Sequence, residues 1–418
     1  MLRFAILGFG SRGRMFGRLI QGDPSARIVA VVDNAPSALE SAINEFGIPK
    51  ENTYSSTDDF FAQGKIADAL FICTQDADHY EMTIQALNLG YDICLEKPAA
   101  ITEEDCVSIR DTANRLGRKI MLTHVLRYAP FYRVIKKYIT EGLLGDVVTI
   151  NQTENIAYWH FALSYVRGPW RNMERSSPTI IAKCCHDLDI LCWLMNKKCT
   201  AVSSFGGLHY FEPSHAPKGS ASHCKDCSPE TRAKCLYDAY KIYPERMKHH
   251  VVGGTGSLSE NNVYAILDKK ESPISRCVFH CDNDAVDHQV VNMLFEDGTT
   301  AHLTMTAFSD QCTRTIKVHG TEGEIYGNLE EGILYYTRYG QAQTVIDASR
   351  EKLFNEDDVA VNDGHGGGDY YLYRDFVNYL TKNDPSDTRT TIDASIESHV
   401  IGFKAEESRL HGGKTEKI

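Results

Sequence analysis

The sequence contains no hydrophobic run that approaches the ~18 residues of a membrane-spanning helix. It also lacks an excess of positive charge, because 44 Lys and Arg stand against 56 Asp and Glu and the net charge is −12. Binding to a nucleic-acid backbone needs clustered cations, so neither a membrane nor a nucleic acid is expected as a partner. The apolar stretch at the N-terminus is shorter than the core of a secretory signal. We therefore expect a cytoplasmic protein.

The sequence also lacks an even number of cysteines spaced as in a disulfide-bonded framework. The chain has 13 Cys, an odd number, and most of them lie in apolar runs, where a free thiol acts as a small hydrophobic side chain. A disulfide framework is therefore not expected. The 418 residues include 42% hydrophobic and 24% charged residues, which predicts a folded chain of two or three domains.

Short apolar segments without alternation recur through the first part of the chain. They lie at residues 4–7, 28–32, 69–73, 92–95 and 120–122, and helical patterns separate them at residues 14–21, 36–46, 78–89 and 103–116. Thr102 followed by Asp105 is a capping signature for the last of these helices. Strands that are buried on both faces have this pattern, so we predict a doubly wound parallel sheet, a Rossmann domain over residues 1–125.

The pattern changes after about residue 145. Longer strand patterns lie at residues 147–154, 287–295, 300–308, 314–318, 324–328 and 333–339, and helical patterns at residues 183–194, 370–380 and 394–410. Asp297-Gly298 is typical of a tight hairpin turn. We predict an α+β domain over residues 126–418 with a large, mostly antiparallel open sheet. A Cys- and His-rich insertion with little periodicity is expected at about residues 209–260.

The sharpest motif is a glycine-rich loop after the first strand. It reads Gly8-Phe9-Gly10-Ser11-Arg12-Gly13 and opens the first helix. Gly8 permits the turn, Gly10 lets a pyrophosphate approach the backbone, and Gly13 allows close packing of the helix on the strand. The helix N-terminus offers N–H groups and a positive dipole to the phosphates. The motif therefore predicts a dinucleotide-binding site.

Asp33, at the end of the second strand, lies 20 residues after Gly13. A carboxylate at this position binds the ribose hydroxyls and repels a 2′-phosphate, which favours NAD over NADP. Arg12 or Arg14 could instead assist a phosphate, so NADP stays open as the alternative.

Two further segments carry titratable side chains. Glu96-Lys97-Pro98 follows an apolar strand directly, at the end of the sheet where this fold binds ligands. Lys97 could hold or relay a proton at a substrate hydroxyl; the alternative is a solvated lysine before a proline turn. On a helix, His186 and Asp189 share one face, so Asp189 could orient His186 as a general base. The alternative is a buried histidine with a structural carboxylate.

Together these motifs resemble the Gfo/Idh/MocA oxidoreductases, which include glucose–fructose oxidoreductase and inositol dehydrogenase. The resemblance spans most of the chain: the glycine loop, Val32-Asp33, residues 71–74 with His79, Glu96-Lys97-Pro98, Arg127-Tyr128 with Pro130, residues 164–168 with Trp170-Arg171, residues 183–189, and Gly364-His365-Gly366-Gly367-Gly368-Asp369. It implies that Lys97 and His186 flank the nicotinamide and the reacting carbinol carbon as a catalytic pair. It implies Thr74, His79, Glu96 and Lys97 as further residues at the cofactor.

Candidates for substrate contacts follow from their positions in the matching motifs. They are Arg127, Glu154, Arg167, Trp170, Arg171 and His365, with Tyr158, Trp159 and His160 as neighbours in the same cleft. Sites for sugars and polyols combine such charged groups with an aromatic surface. One position departs from the family: Ala182 stands where an Asp usually precedes the histidine by four residues, so either Asp187 or Asp189 substitutes or the chemistry is altered.

The expected reaction is hydride transfer between a secondary alcohol of a sugar or polyol and NAD. Two alternatives stay open. One is a glycoside-cleaving enzyme that oxidises C3 transiently, and the other is a non-catalytic regulatory protein that binds NAD. The family resemblance also implies a homodimer or homotetramer that pairs through the open sheet.

The insertion contains a local cluster of possible metal ligands. Cys224-x-x-Cys227 and Cys235 supply three thiols, with His223 beside them. A structural zinc ion needs four such ligands, and the fourth would come from His209, His215 or elsewhere. The alternative is a set of free thiols in a lid near the active site.

Overall fold

The computed structural model describes residues 1–174, 176–252, 259–269, 271–350 and 364–418. Its strands form two sheets, one of six strands and one of nine. Within these residues, no helix combines the length and the apolar character that crossing a bilayer requires.

The first sheet is parallel throughout. Its strands are β1 (Leu2–Leu7), β2 (Ala26–Val32), β3 (Thr53–Tyr54), β4 (Ala69–Ile72), β5 (Asp92–Leu95) and β6 (Ile120–Leu122), and its helices are α1 (Ser11–Gln21), α2 (Pro36–Phe46), α3 (Thr57–Phe61), α4 (His79–Asn88) and α5 (Glu103–Leu116). The strand order is β3-β2-β1-β4-β5-β6, so the direction of winding reverses between β1 and β4. This arrangement confirms the predicted doubly wound sheet and opens a ligand crevice at the carboxyl ends of β1 and β4.

Apolar side chains on both faces of the sheet explain the continuous hydrophobic runs in the sequence. All four residues of β4 are buried, and separate core clusters lie on the two faces. The predicted cap is present, because the Thr102 hydroxyl accepts a hydrogen bond from the Asp105 N–H at 3.1 Å. The parallel sheet is therefore specified by local patterns that are consistent with each other.

The second sheet is antiparallel except for one central pair. Its strands are β7 (Val147–Ala157), β8 (Cys199–Gly207), β9 (His288–Phe295), β10 (Thr300–Ser309), β11 (Thr313–Gly320), β12 (Gly323–Asn328), β13 (Ile333–Arg338), β14 (Thr344–Asp347) and β15 (Glu416–Lys417). They lie in the order β14-β13-β12-β11-β7-β10-β9-β8-β15. In this second sheet, only β7 and β10 pair in parallel among the described residues. The predicted large, mostly antiparallel sheet is confirmed.

Helices cover one face of the second sheet. The remaining helices are α6 (Pro130–Thr140), α7 (Tyr158–Phe161), α8 (Thr179–Ala182), α9 (Cys185–Met195), α10 (Pro229–Lys234), α11 (Ala239–Ile242), α12 (Lys248–Val252), α13 (Glu260–Leu267), α14 (Gly368–Thr381) and α15 (Ile392–Leu410). Side chains from α6, α9 and α15 join the sheet in the largest core cluster. The outer face exposes Phe205, Leu294 and Phe308, which alternate with inward residues.

The insertion holds more regular structure than its sequence indicates. Three short helices, α10 to α12, lie where little periodicity is visible, and α13 begins at the predicted end of the segment. Each has too few turns to show a 3.6-residue pattern, and local caps such as Ser228, whose hydroxyl accepts from the Thr231 N–H at 3.2 Å, start them instead. Residues 253–258 of this segment lie outside the described part of the chain. The insertion boundaries and the domain limit near residue 125 stay predictions.

The two C-terminal helices return to the first sheet. The Phe376 ring of α14 packs against Phe71 of β4 with centroids 5.5 Å apart and against Phe4 of β1 at 6.2 Å. On α15, His399 Nε2 accepts a hydrogen bond from the Ala99 N–H at 3.1 Å, beside the loop that follows β5. Elements far apart in sequence therefore complete one face of the parallel sheet and fix one of its ligand-binding loops.

We expect low pH to reduce the free energy of unfolding, because unfolding lets His399 bind a proton. Burial lowers the pKa of His399 to about 3, and a protonated Nε2 is unable to accept the Ala99 N–H. The unfolded chain takes up this proton near pH ~6.5, so the free energy of unfolding falls as the pH drops below that value. The loss at this residue should be about 1–2 kcal/mol between pH 7 and pH 5.

Urea unfolding at a series of pH values tests this expectation. His399→Gln keeps an acceptor for the Ala99 N–H and should flatten the dependence on pH. His411→Gln, at a histidine whose side chain is 55% exposed, is the matched control and should leave it unchanged. An unaltered pH dependence in His399→Gln would contradict the assignment of this effect to His399.

Candidate functional site

The glycine loop after β1 has a geometry that only glycine fits at two positions. Gly8 has a φ of +84°, and a Cβ there would lie 2.5 Å from the Cys73 carbonyl oxygen. A Cβ on Gly13 would lie 2.1 Å from the Gly8 carbonyl oxygen. A Cβ on Gly10 would meet nothing within 4 Å, so the backbone there is open to an approaching ligand. No side chain caps α1 at Gly10, which leaves its first N–H groups to an anion.

Asp33 holds this loop in place. One carboxylate oxygen accepts from the Phe9 N–H at 2.6 Å and the other from the Ala35 N–H at 2.8 Å. The Phe9 ring is buried against Phe46, with centroids 5.0 Å apart. Phe9 therefore contributes its backbone N–H to the loop, while its side chain packs in the core. Ser11, next to Gly10, is exposed at the start of α1.

Arg12 joins three segments of the chain. Its guanidinium forms ion pairs with Glu96, after β5, and with Asp369 Oδ1 at 2.7 Å, in the first turn of α14. Burial opposes the charged forms, but the pairing outweighs it. The Arg12 charge lowers the pKa of Glu96 and brings the pKa of Asp369 to about 2. The glycine loop, the Glu96-Lys97-Pro98 loop and the Gly364–Gly367 turn are thus held by one cation.

Lys97 reaches from the first sheet to the second half of the chain. Its ammonium Nζ donates to the Ala182 carbonyl oxygen at 2.9 Å, at the end of α8. His79, fully buried, ties the neighbouring loops, because its Nδ1 lies 2.7 Å from the Pro98 carbonyl oxygen and its Nε2 3.3 Å from that of Thr74. Lys97 is therefore directed at the residue four positions before His186.

His186 lies in the first turn of α9 and is 5% exposed. Its Nδ1 has no hydrogen-bond partner within the described ranges. The rings of His124 and His365 flank it, with centroids 5.7 and 5.9 Å away. Burial lowers the pKa of His186 well below its usual range, and the Lys97 charge lowers it further. The imidazole is therefore neutral at neutral pH, which a general base requires.

Asp189 has a different partner from the one expected from helical spacing. Its carboxylate accepts two hydrogen bonds of 2.6 Å from the Arg127 guanidinium and lies 2.8 Å from His124 Nδ1. All three side chains are buried. The expected contact with His186 is thus corrected to a buried pair with Arg127, and this pair also removes Arg127 from the set of side chains directed at a substrate.

Asp187 and Glu154 belong to a second buried cluster of charges. Arg314 Nε lies 2.9 Å from Asp187 and 2.8 Å from Glu154, and Lys183 Nζ lies 3.2 Å from Glu154. Burial raises the pKa of Glu154, although Arg314 and Lys183 act against this shift. Neither Asp187 nor Asp189 therefore takes the place of the missing carboxylate at Ala182.

The remaining substrate candidates contact different parts of the chain. His365 faces the ring of His186 and is held by Asp369 through its Nδ1 at 3.1 Å. Trp170 donates from its Nε1 to Asp76 at 3.0 Å, and Arg171 pairs with the exposed Asp282 at 3.0 Å. Three neighbours expected in the same cleft bond elsewhere: Trp159 Nε1 donates to the Asp310 carbonyl, His160 Nδ1 lies 3.6 Å from Cys312 Sγ, and the Tyr158 ring packs on Tyr237.

Asp76 was not anticipated from the sequence. It lies two residues after Thr74 in the loop that follows β4, and it is 6% exposed. Burial raises its pKa, while the charges of His79 and Lys97 act in the opposite direction. Its position beside the reversal of strand order was the available signal, because that crevice is where ligands bind in this fold.

Arg167 is directed into the insertion. It is fully buried and donates to the Tyr237 carbonyl and to the Tyr243 hydroxyl rather than to the cleft. Nearby, Cys224, Cys227 and Cys235 line one small cavity that includes neither His209 nor His215. Two groups of three metal-ligating side chains lie within 4.8 Å of one another in the described part of the chain, and neither contains these three cysteines. Within the described residues, Cys224, Cys227 and Cys235 are therefore not assembled with His209 or His215 into a metal site.

Two family models match the chain. Residues 2–124 match the NAD-binding Rossmann fold of the GFO_IDH_MocA oxidoreductase family, and residues 136–412 match the C-terminal alpha/beta domain of the same family. The chain belongs to the Gfo/Idh/MocA oxidoreductase family. The resemblance in the sequence motifs is thereby confirmed.

Individual relatives are distant. The chain is 22% identical over 324 residues to the putative oxidoreductase YteT of Bacillus subtilis, covering 74% of this chain and 71% of that protein. It is 28% identical over 202 residues to an inositol 2-dehydrogenase/D-chiro-inositol 3-dehydrogenase of Lactiplantibacillus plantarum, covering 46% of this chain and 52% of that protein. The chain thus spans about half the length of that dehydrogenase.

A solved structure matches over the whole fold. The crystal structure of an oxidoreductase from Agrobacterium radiobacter, in complex with NAD+, L-tartaric acid and magnesium, has a TM-score of 0.70 at 16% identity and covers 100% of this chain and 98% of that chain. At this identity the likeness establishes the fold.

We expect Arg12→Gln to destabilise the protein, because it leaves Glu96 and Asp369 buried without their cation. Removing one partner of a fully buried ion pair costs ~3–5 kcal/mol. Since the Arg12 side chain is 29% exposed, we expect a smaller loss, about 2–4 kcal/mol, in urea unfolding.

Arg18→Gln, on the same helix at an exposed position, is the matched control. It should change the free energy of unfolding by less than ~0.5 kcal/mol. Combining Arg12→Gln with Glu96→Gln should restore part of the loss, because one of the two uncompensated carboxylates is then gone. Equal losses in Arg12→Gln and Arg18→Gln would refute the bridging role.

Proposed function

We propose that the protein is an NAD-dependent dehydrogenase that oxidises a secondary alcohol of a sugar or polyol, or reduces the corresponding ketone. The observation that carries this proposal is the pairing of an ammonium group with a neutral, buried imidazole at the carboxyl end of the first sheet. Lys97 supplies the ammonium group, and His186 supplies the imidazole with an unpartnered Nδ1.

The residues of the glycine loop fit NAD. The open backbone at Gly10 and the uncapped start of α1 suit a pyrophosphate. Asp33 keeps acceptor capacity for ribose hydroxyls and repels a 2′-phosphate, and Arg12 is already paired with two carboxylates. When bound, NAD supplies the carbon that accepts or returns the hydride.

Residues of the chain itself transfer the proton and stabilise the charge on the substrate oxygen. His186 accepts the proton of the substrate hydroxyl, because its imidazole is neutral and stays so below the usual pKa of histidine. Lys97 donates a hydrogen bond to the same oxygen and stabilises its developing negative charge. His365, beside His186, is placed to bind a neighbouring hydroxyl.

The missing carboxylate at position 182 affects how these groups are held. The Ala182 main-chain carbonyl accepts a hydrogen bond from Lys97 and so takes over the orientation of the ammonium group. The imidazole of His186 is oriented by packing between His124 and His365 rather than by an aspartate. A general base without a carboxylate partner keeps a low pKa, so catalysis should persist into mildly acidic solution.

Copies of the chain would pair through the outer face of the second sheet. That face exposes Phe205, Leu294 and Phe308, and an apolar surface of this kind is stabilised when a second copy covers it. A homodimer or homotetramer is the expected assembly.

Single-turnover measurements test the reaction. Stoichiometric enzyme and NAD are mixed with sugars, inositols, uronates and glycosides, and nicotinamide absorbance is recorded. We expect a lasting rise with one substrate class. His186→Asn and Lys97→Met should each slow it by ~10²–10⁴-fold, because proton transfer and charge stabilisation are lost, while NAD binding to His186→Asn stays unchanged. The acid limb of the rate profile should lie below pH ~6.5.

The control is His411→Asn, at the exposed His411. It should react like the unmodified protein. A transient signal with release of an aglycone would replace the proposal by glycoside cleavage, and NAD binding without turnover of any substrate would replace it by a regulatory role.

The cofactor preference has its own test. Asp33→Ser removes the charge that repels a 2′-phosphate, and its hydroxyl still accepts from a backbone N–H. We expect the ratio of NAD to NADP affinity to fall at least ~10-fold, equivalent to about 1.4 kcal/mol, in titrations monitored by protein fluorescence. Asp59→Ser, at an exposed helix start, is the control. A preference for NADP in the unmodified protein would contradict the assignment of Asp33.

A further inference from the structure

Four cysteines line a single small cavity in the insertion. They are Cys224, Cys227, Cys235 and Cys277, and the cavity has a volume of about 20 Å³. Cys224 and Cys277 are 6% and 7% exposed, and the other two are partly buried. A space of this size holds one water-sized sphere or one ion, and no organic ligand fits it.

The fold brings the fourth thiol to the other three from a distant part of the chain. Cys277 N–H donates to the Ser222 carbonyl at 2.8 Å, and His223 pairs with Arg276 in an isolated bridge. These two contacts align the segment before Cys224 with the segment that carries Cys277. The spacing of Cys224 and Cys227 lets one turn offer two thiols, as in structural metal sites.

A buried cation without a carboxylate partner lies against this cavity. Arg167 is 0% exposed, and its four hydrogen bonds go to neutral acceptors: the carbonyls of Arg276 and Tyr237, the Tyr243 hydroxyl, and Cys224 Sγ at 3.6 Å. No ion pair to Arg167 exists within the residues that the structure describes. A buried charge of this kind is costly unless an opposite charge compensates it.

The other charges at the cavity do not compensate Arg167. Asp238, which also lines the cavity, pairs with Arg232 at 3.1 Å. The four cysteines line the same space. Two donors already point at their sulfurs, because Arg167 donates to Cys224 Sγ and the Ala221 N–H donates to Cys227 Sγ at 3.2 Å.

We propose that Cys224, Cys227, Cys235 and Cys277 form a structural site for one thiophilic divalent cation of the zinc type. Each sulfur gives up its proton as its bond to the metal forms, so the four thiolates and the cation together carry a charge of −2. Arg167 offsets one of these charges. Four protein ligands leave no open coordination position, which indicates a structural role rather than a catalytic one.

Binding requires the sulfurs to converge on the centre of the cavity. With bonds of about 2.3 Å in a tetrahedron, the sulfur atoms lie about 3.8 Å apart. In the described part of the chain these cysteines surround the cavity more loosely, since no three of them have sulfurs within 4.8 Å of one another. The proposal therefore requires the partly buried Cys227 and Cys235 side chains to rotate toward Cys224 and Cys277 when the metal binds.

The site would fasten the insertion to the wall of the cleft. Arg167 ends the π-helical turn Ala162–Arg167, which follows α7 directly. Within its described residues the insertion contributes five buried side chains to a small apolar cluster, and Phe211 and Tyr237 join the main core; the five are Cys224, Ala239, Ile242, Tyr243 and Val251. Small units with so little core are commonly stabilised by a metal or a disulfide, and all thirteen cysteines are free here.

The test measures metal rather than activity, so its outcome is independent of the proposed dehydrogenase function. The full chain is purified under reducing conditions, supplied with Zn²⁺, desalted and analysed by mass spectrometry for metals. We expect one zinc per chain. Cys224→Ser and Cys277→Ser should each lower the zinc content at least ~10-fold under the same treatment.

Cys281→Ser is the matched control. Cys281 lies four residues after Cys277 and its Sγ donates to the Cys277 carbonyl at 3.2 Å, but it does not line the cavity. This variant should keep its zinc. Retention of zinc in Cys277→Ser, or its loss in Cys281→Ser, would overturn the ligand set.

Two measurements on the unmodified protein cover the case in which serine variants fail to fold. Co²⁺ in place of zinc should give the intense visible absorption of tetrahedral sulfur coordination, and a mercurial reagent should release the metal as it titrates four thiols. A weak octahedral spectrum, absence of bound metal after reconstitution, or disulfides among these cysteines in peptide mapping would each refute the proposal.

Discussion

The ion pairs of Arg12 are the constraint on which the site depends. A single guanidinium, held between Glu96 and Asp369, fixes the glycine loop, the loop that carries Lys97 and the turn that carries His365. The carboxylates are buried, so each needs the cation to remain charged. The glycine loop and the side chains proposed to act on the substrate are therefore positioned by the same interaction.

Local patterns were sufficient for much of this arrangement. The apolar strands, the Thr102 cap and the spacing of Gly8, Gly13 and Asp33 define the parallel sheet and its loop, because each depends on neighbouring residues. Strands at or near the edges of the two sheets were harder to predict. Strands β3 and β15 are two residues long, and β8 contains serines and glycines that its pairing with β9 holds extended.

Local patterns did not predict which side chains bond to each other across the fold. Helical spacing placed Asp189 beside His186, yet a guanidinium from a different segment, Arg127, binds that carboxylate more favourably. Likewise, Arg167 and Cys277 are brought to the insertion by chain folding rather than by any local motif. Long-range charge pairing decides between contacts that a helix alone would allow, and a single sequence does not display it.

The packing of α14 on the first sheet has a consequence for biosynthesis. Phe4 and Phe71 are translated about 300 residues or more before Phe376, the ring that covers them. Until then one face of the dinucleotide-binding sheet has an exposed aromatic surface. The first sheet thus reaches its final packing only after α14 has been synthesised, and until then its uncovered aromatic rings favour non-specific association.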